Sequence, residues 1–153
     1  MGHSYYIYAN IIVNLLMFPS TIIDLKYRRI PIYLFFASIP LTLAMQFYFK
    51  ERLLFFLTGA IVMFAAYFLQ ALYSGGGGDV IMMSTLGLTL GLMPSLIIII
   101  FSVPCVLFQV LFAKRKKQIS LKDALHCEYP VAPSIYTGYI IYTGITILTT
   151  ICS

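Results

Sequence analysis

The chain is poor in charge. Only 10% of its residues are Asp, Glu, Lys or Arg, against 61% hydrophobic residues and a mean hydropathy of +0.94. A soluble domain of 153 residues cannot hide that much apolar surface, so lipid must be the solvent for much of it. Cysteine is scarce and scattered, at Cys105, Cys127 and Cys152. With no CxxC pair, neither a zinc site nor a redox motif is indicated, and no metal or cofactor is expected. No Gly-Lys-Ser/Thr follows the single glycine run, which argues against a phosphate cradle. Met1-Gly2-His3-Ser4 offers no basic segment and the first apolar run is too long for a cleavable signal peptide. Tyr6 stands where a myristoylation motif would need Ser or Thr. The net charge of +5 would suit nucleic acid, but the basic residues sit in short clusters between apolar runs. That pattern fits membrane topology, and no nucleic-acid partner is expected.

What the chain has is a series of apolar runs. The first spans residues 5–25, long enough as a helix to cross a core of roughly 30 Å. Asn10 and Asn14 interrupt it four residues apart, on one helix face, which predicts a face turned toward protein. The run closes in Asp24, followed by Lys26, Arg28 and Arg29. Pro31 opens the second run, to Phe49, where Lys50-Glu51-Arg52 makes a tight turn. The third covers residues 53–73. Four glycines and an acid come next, Gly75-Gly76-Gly77-Gly78-Asp79, read as a flexible loop. The fourth run, residues 80–93, is about 21 Å long as a helix and short for a span. Gly87 and Gly91 give it a small-residue face. Pro94 is expected to break the chain before a fifth run, residues 95–113, with a kink at Pro104 and a stop at Lys114-Arg115-Lys116-Lys117. A polar stretch with a short helix around Ser120 to Cys127 leads to Pro130-Val131-Ala132-Pro133 and a sixth run, to about Ile151.

These runs predict an all-α membrane protein of about six transmembrane helices, with residues 1–153 forming one polytopic domain. Six spans place Asp24 and Asp79 on the same side of the bilayer. Lys26, Arg28, Arg29, Lys114, Arg115, Lys116, Lys117 and Lys122 lie on that side, and only Lys50 and Arg52 on the other. By the positive-inside rule the eight-residue side is cytoplasmic, and both termini are extracytoplasmic.

Two carboxylates facing each other at a membrane edge form a hydrolytic device. Like charges a few ångströms apart cannot both ionise easily. The ionised one takes a proton from water and the protonated one polarises a peptide carbonyl, with no metal, nucleophile or cofactor. Each acid alone has an ordinary reading. Asp79 suits an N-cap of the fourth helix, and Asp24 suits a pair with Arg28 one turn on. The basic cluster at 114–117 suits a topology determinant. His126, Cys127 and Glu128 are adjacent without further spaced ligands, which suits a loop rather than a metal or nucleophile site.

Asp24-Leu25-Lys26-Tyr27-Arg28-Arg29-Ile30-Pro31, followed by Gly76-Gly77-Gly78-Asp79-Val80 and then Pro130-Val131-Ala132-Pro133, resembles the type IV prepilin peptidases, the GxGD-type membrane aspartic proteases. The resemblance covers nearly the whole chain. It implies a membrane endopeptidase that removes a short basic leader from pilin-like precursors at the cytoplasmic face of the cell membrane. Asp24 and Asp79 would be the catalytic dyad, Gly76, Gly77 and Gly78 the active-site loop, and a prepilin and the lipid bilayer the partners. Ile32 stands where that family commonly has Asn after the proline, and Ile81 where Lys commonly follows Asp-Val. Larger members carry an insert with paired Cys motifs and a methyltransferase activity, so peptidase activity without N-methylation is expected here. Two competing functions follow from the same residues: a catalytically silent prepilin-binding assembly protein, and a small proton-coupled transporter with the acids as proton sites.

Overall fold

In a computed structural model the described residues are 3–49, 53–74, 77–117 and 129–152, and among them every regular element is a helix. There are six: α1 (His3–Tyr27), α2 (Ile32–Tyr48), α3 (Leu53–Ser74), α4 (Gly77–Leu90), α5 (Leu92–Lys117) and α6 (Val131–Cys152). Three contain stretches long and apolar enough to cross a membrane: Ser4–Tyr27, Leu92–Phe112 and Val131–Thr149. The 50–52 turn, Gly75 and Gly76, and the helix expected around Ser120 to Cys127 lie outside the described residues.

Polarity is distributed as in a protein solvated by lipid. Large apolar side chains point outward, among them Leu15, Phe47 and Leu54. Ser20, Asp24, Ser38, Thr42, Gln46, Thr85 and Thr89 are buried. Backbone polar groups with no water to bond must be satisfied inside each helix, which is why the apolar runs become helices throughout.

α4 is the central element. Nearly all of it from Val80 to Leu90 is buried, and it packs on α1, α2, α3 and α5. Its shortness, 14 residues, follows from that position, because a helix wrapped in protein need not match the hydrocarbon thickness. Two neighbours satisfy its last carbonyls. Gln46 Nε2 donates to Leu88 O at 2.6 Å, and Tyr5 Oη donates to Thr89 O at 2.8 Å. α3 and α4 touch backbone to backbone where Gly59 meets Gly87, so Gly87 is part of a small-residue contact as its spacing suggested. Gly91 has another task. At φ +86° it turns the chain between α4 and α5.

That turn corrects the expected break at Pro94. Pro94 lies in the first turn of α5, where its missing N–H costs no helical bond. The left-handed conformation that ends α4 belongs to Gly91. The apolar stretch of α5 ends at Phe112, just before Lys114-Arg115-Lys116-Lys117 as expected, while the helix itself continues to Lys117. Lys114 and Arg115 are exposed, and basic residues near a helix C-terminus complement its dipole.

α1 and α6 run antiparallel and are joined by a polar ladder. Tyr6 Oη donates to Tyr142 Oη at 2.6 Å, Tyr139 Oη donates to Asn10 Oδ1 at 2.7 Å, and Asn14 Nδ2 donates to Tyr139 Oη at 2.9 Å. Asn10 and Asn14 therefore do face protein, as their spacing predicts. Gly138 on α6 lies against the α5 backbone at Ile98 O, which brings α5 and α6 close.

Candidate functional site

Asp24 closes α1. Arg28 adopts a left-handed conformation, φ 54°, and its N–H returns to Asp24 O at 2.9 Å. This is a left-handed C-terminal cap made without glycine, and it ends the helix just past Tyr27. The Asp24 side chain is buried, with 4% of its surface exposed. A carboxylate so placed needs partners. It finds one 108 residues away, because Ala132 N–H donates to Asp24 Oδ2 at 3.0 Å. Val131 N–H also acts on this carboxylate, as does the charge of Arg28.

The partner site explains itself from sequence. α6 starts at Val131, directly after Pro130, whose side chain has nothing to cap with, and Pro133 has no N–H at all. The first amides of α6 thus lack a local acceptor, and Asp24 supplies one from α1. The positive end of the α6 dipole adds to the attraction.

Asp79 lies in the first turn of α4. This corrects two expectations. Gly77 and Gly78 are helical and not loop, and Asp79 sits inside the helix rather than capping it. First-turn residues have no intrahelical N–H partner to secure, so glycine costs little order there. A carboxylate in the first turn is favoured by the helix dipole. The Asp79 side chain is half-buried. Gly76, the third glycine expected to form the loop, lies outside the described residues.

The fold brings the two acids together. Asp24 and Asp79 are near enough for their charges to interact. The chain between α1 and α2 closes the gap from the side: a side-chain carbon added at Gly78 would stand 3.0 Å from Ile30 Cβ. The Ile30-Pro31 step and the Gly78-Asp79 step are therefore in direct contact, and glycine is what permits it. Tyr67 of α3, partly buried against the core, also interacts electrostatically with Asp79.

Beside the α1–α2 connection lies an open cleft of about 630 Å³ lined by Ile23, Tyr27, Arg29, Ile30, Pro31, Ile32 and Tyr33. Neither aspartate lines it, although Ile23 and Ile30 flank Asp24 and Gly78 respectively. Ile32 contributes to this cleft, whereas Ile81 packs against the core. Among the described residues no three metal-binding side chains gather. His126, Cys127 and Glu128 are outside them.

Three parts of the site escaped the sequence reading: the α6 amides, Tyr67, and the Ile30–Gly78 contact. The first did leave a signal, since two prolines flanking Val131 and Ala132 announce a helix start with no cap of its own. Tyr67 left none, because twelve tyrosines in an apolar chain look alike.

A model described as the type IV leader peptidase family matches residues 11–112, more than half of the chain. The matched stretch contains both aspartates and the Ile30-Pro31 step. No curated protein and no solved structure matches the chain.

Proposed function

The chain belongs to the type IV leader peptidase family, and we propose that it is a prepilin leader peptidase in which Asp24 and Asp79 form an aspartic dyad. The observation that carries this reading is the convergence of the buried end of α1 with the first turn of α4, which puts the two carboxylates within reach of each other's charge. One aspartate takes a proton from water while the other gives a proton to the scissile carbonyl. The chemistry needs no metal and no cofactor. Six spans, with both termini outside, would set the dyad at the cytoplasmic face of the cell membrane beside the basic ends of α1 and α5. The substrate's apolar helix would lie along the lipid-facing surface, with its basic leader in the cytoplasm. N-methylation is not part of the proposed activity.

The transporter reading has less support. The buried polar residues that run along α2 and α4, Ser38, Thr42, Gln46, Thr85 and Thr89, include no group that titrates near neutral pH. The test is co-expression with a candidate prepilin, following leader removal by gel shift for wild type, Asp24→Asn and Asp79→Asn. Cleavage by wild type alone supports the dyad. Equal cleavage by all three refutes it. Binding of the prepilin without cleavage by wild type would favour the silent assembly role.

A further inference from the structure

The dyad is not symmetric. Asp24 receives a backbone N–H at 3.0 Å from the amino end of a helix to which it does not belong. Asp79 sits in its own helix, and its interactions are with the charge of Asp24 and with Tyr67. A backbone N–H only donates, so the oxygen it meets must act as acceptor. Burial of Asp24 opposes its charge, and against that burial the α6 amides, the α6 dipole and the Arg28 guanidinium favour it.

We propose that the amino end of α6 is a positioning element for the reaction: it holds Asp24 as the hydrogen-bond acceptor of the dyad, which makes Asp24 the group that takes the proton from water and Asp79 the group that protonates the carbonyl. The inference rests on the leader-peptidase reading above and assigns the roles within it. In the first step a water O–H bond breaks, its proton passes to Asp24, and its oxygen bonds to the scissile carbon. The Asp79 proton moves to the carbonyl oxygen, giving a neutral gem-diol. In the second step the C–N bond breaks, the Asp24 proton goes to the leaving nitrogen, and one diol proton returns to Asp79. The dyad ends as it began, with Asp24 anionic and Asp79 protonated.

The amides of Val131 and Ala132 touch neither substrate nor water in this scheme. They act through Asp24, by fixing its rotamer and favouring its charge. The charged groups acting on Asp24 are Arg28 from its own helix end and Asp79 from α4, while α6 presents its N–H groups. Removing an N–H donor disfavours the anion, so Asp24 would hold its proton to higher pH.

Ala132→Pro deletes that donor in the first turn of a helix, where proline is tolerated. The experiment measures leader cleavage by the purified full-length protein in detergent micelles between pH 5 and 9. Ala132→Pro is expected to move the acidic limb of kcat/KM upward by about one pH unit, the size of losing one hydrogen bond to a charged group. It should lower kcat roughly tenfold below that limb and leave KM within about twofold. If Ala132→Pro does not fold, Val131→Pro makes the same measurement at the helix position that accepts proline best. Thr137→Ala, on the exposed side of α6 and outside the site, is the control for general effects on the helix.

An acidic limb that stays in place while cleavage continues overturns the inference. A thermal-unfolding cycle of Asp24→Ala, Ala132→Pro and the double variant separates this failure from that of the peptidase reading, because it needs no activity. A double variant that loses about 2–4 °C less than the sum of the singles supports the contact. Additive losses overturn it. Coupling without cleavage by wild type on any prepilin refutes the peptidase reading and the role assignment together, and leaves the α1–α6 contact as structure alone.

Discussion

Gly87→Ala should destabilise this protein, and Gly144→Ala should not, although both replace a helical glycine by the best helix former. The difference lies in what a new Cβ would meet. At Gly87 it would stand 2.5 Å from Gly59 O, 2.7 Å from Gly59 C and 3.0 Å from Ala60 N. All three are backbone atoms of α3, which cannot rotate aside as a side chain would. Ordinary carbon contacts are about 3.5–4.0 Å, so α3 and α4 must part by roughly 1 Å along their tightest seam. Overpacking of this kind costs about 1–3 kcal/mol, and a rigid backbone obstacle belongs at the upper end. Helix propensity returns about 1 kcal/mol, leaving a net loss of about 1–2 kcal/mol. At Gly144 nothing lies within 4 Å of the added carbon, so the propensity gain stands alone at about 0.5–1 kcal/mol. For a chain of this length 1 kcal/mol moves Tm by about 2–4 °C. Thermal unfolding in micelles should therefore separate the two variants by about 3–12 °C, with wild type between them. Equal midpoints, or Gly87→Ala the more stable, would refute the close α3–α4 seam.

Gly78→Ala would press a methyl to 3.0 Å from Ile30 Cβ, a few tenths of an ångström too near. It should fold with a midpoint within about 4 °C of wild type, but lower leader cleavage at least roughly tenfold by shifting Asp79, read by the gel-shift assay. Tyr5→Phe removes the donor to Thr89 O at the buried end of α4 and should cost about 1–2 kcal/mol, or roughly 2–8 °C.

How far the fold could be read from sequence depended on the kind of signal. Apolar runs bounded by charge gave the helices, because in lipid a backbone segment has few alternatives to helix. The Asn10 and Asn14 spacing gave the right face of α1, since polar side chains four apart must find partners inside the bundle. The boundaries were misread where one residue type serves two purposes. Proline both breaks helices and starts them, so Pro94 looked like the end of one run when it lies in the first turn of the next. Glycine both loosens loops and fits close contacts. Gly77 and Gly78 therefore looked flexible although they are helical, while the residue that needs a glycine backbone is Gly91.

The site was legible as a pair of acids and illegible as an arrangement. Counting apolar runs pairs Asp24 with Asp79, and the structure brings the end of α1 toward the first turn of α4. It could not say what holds them, since neither the donors to Asp24 nor the contact across Gly78 is written in side-chain chemistry. The α6 donors are backbone amides, identical at every position except proline. They become distinctive only because Pro130 and Pro133 leave Val131 and Ala132 at a helix start with no local acceptor. The same logic reaches Gly78, whose contribution is a missing side chain that lets Ile30 approach. Both features supply the site by subtraction: a cap absent from α6 calls for Asp24, and a Cβ absent from α4 admits the α1–α2 connection. In the proposed dyad Asp24 both caps a helix and exchanges a proton, and Asp24→Asn separates the two, because an amide oxygen can still accept the Ala132 N–H while the group no longer exchanges a proton.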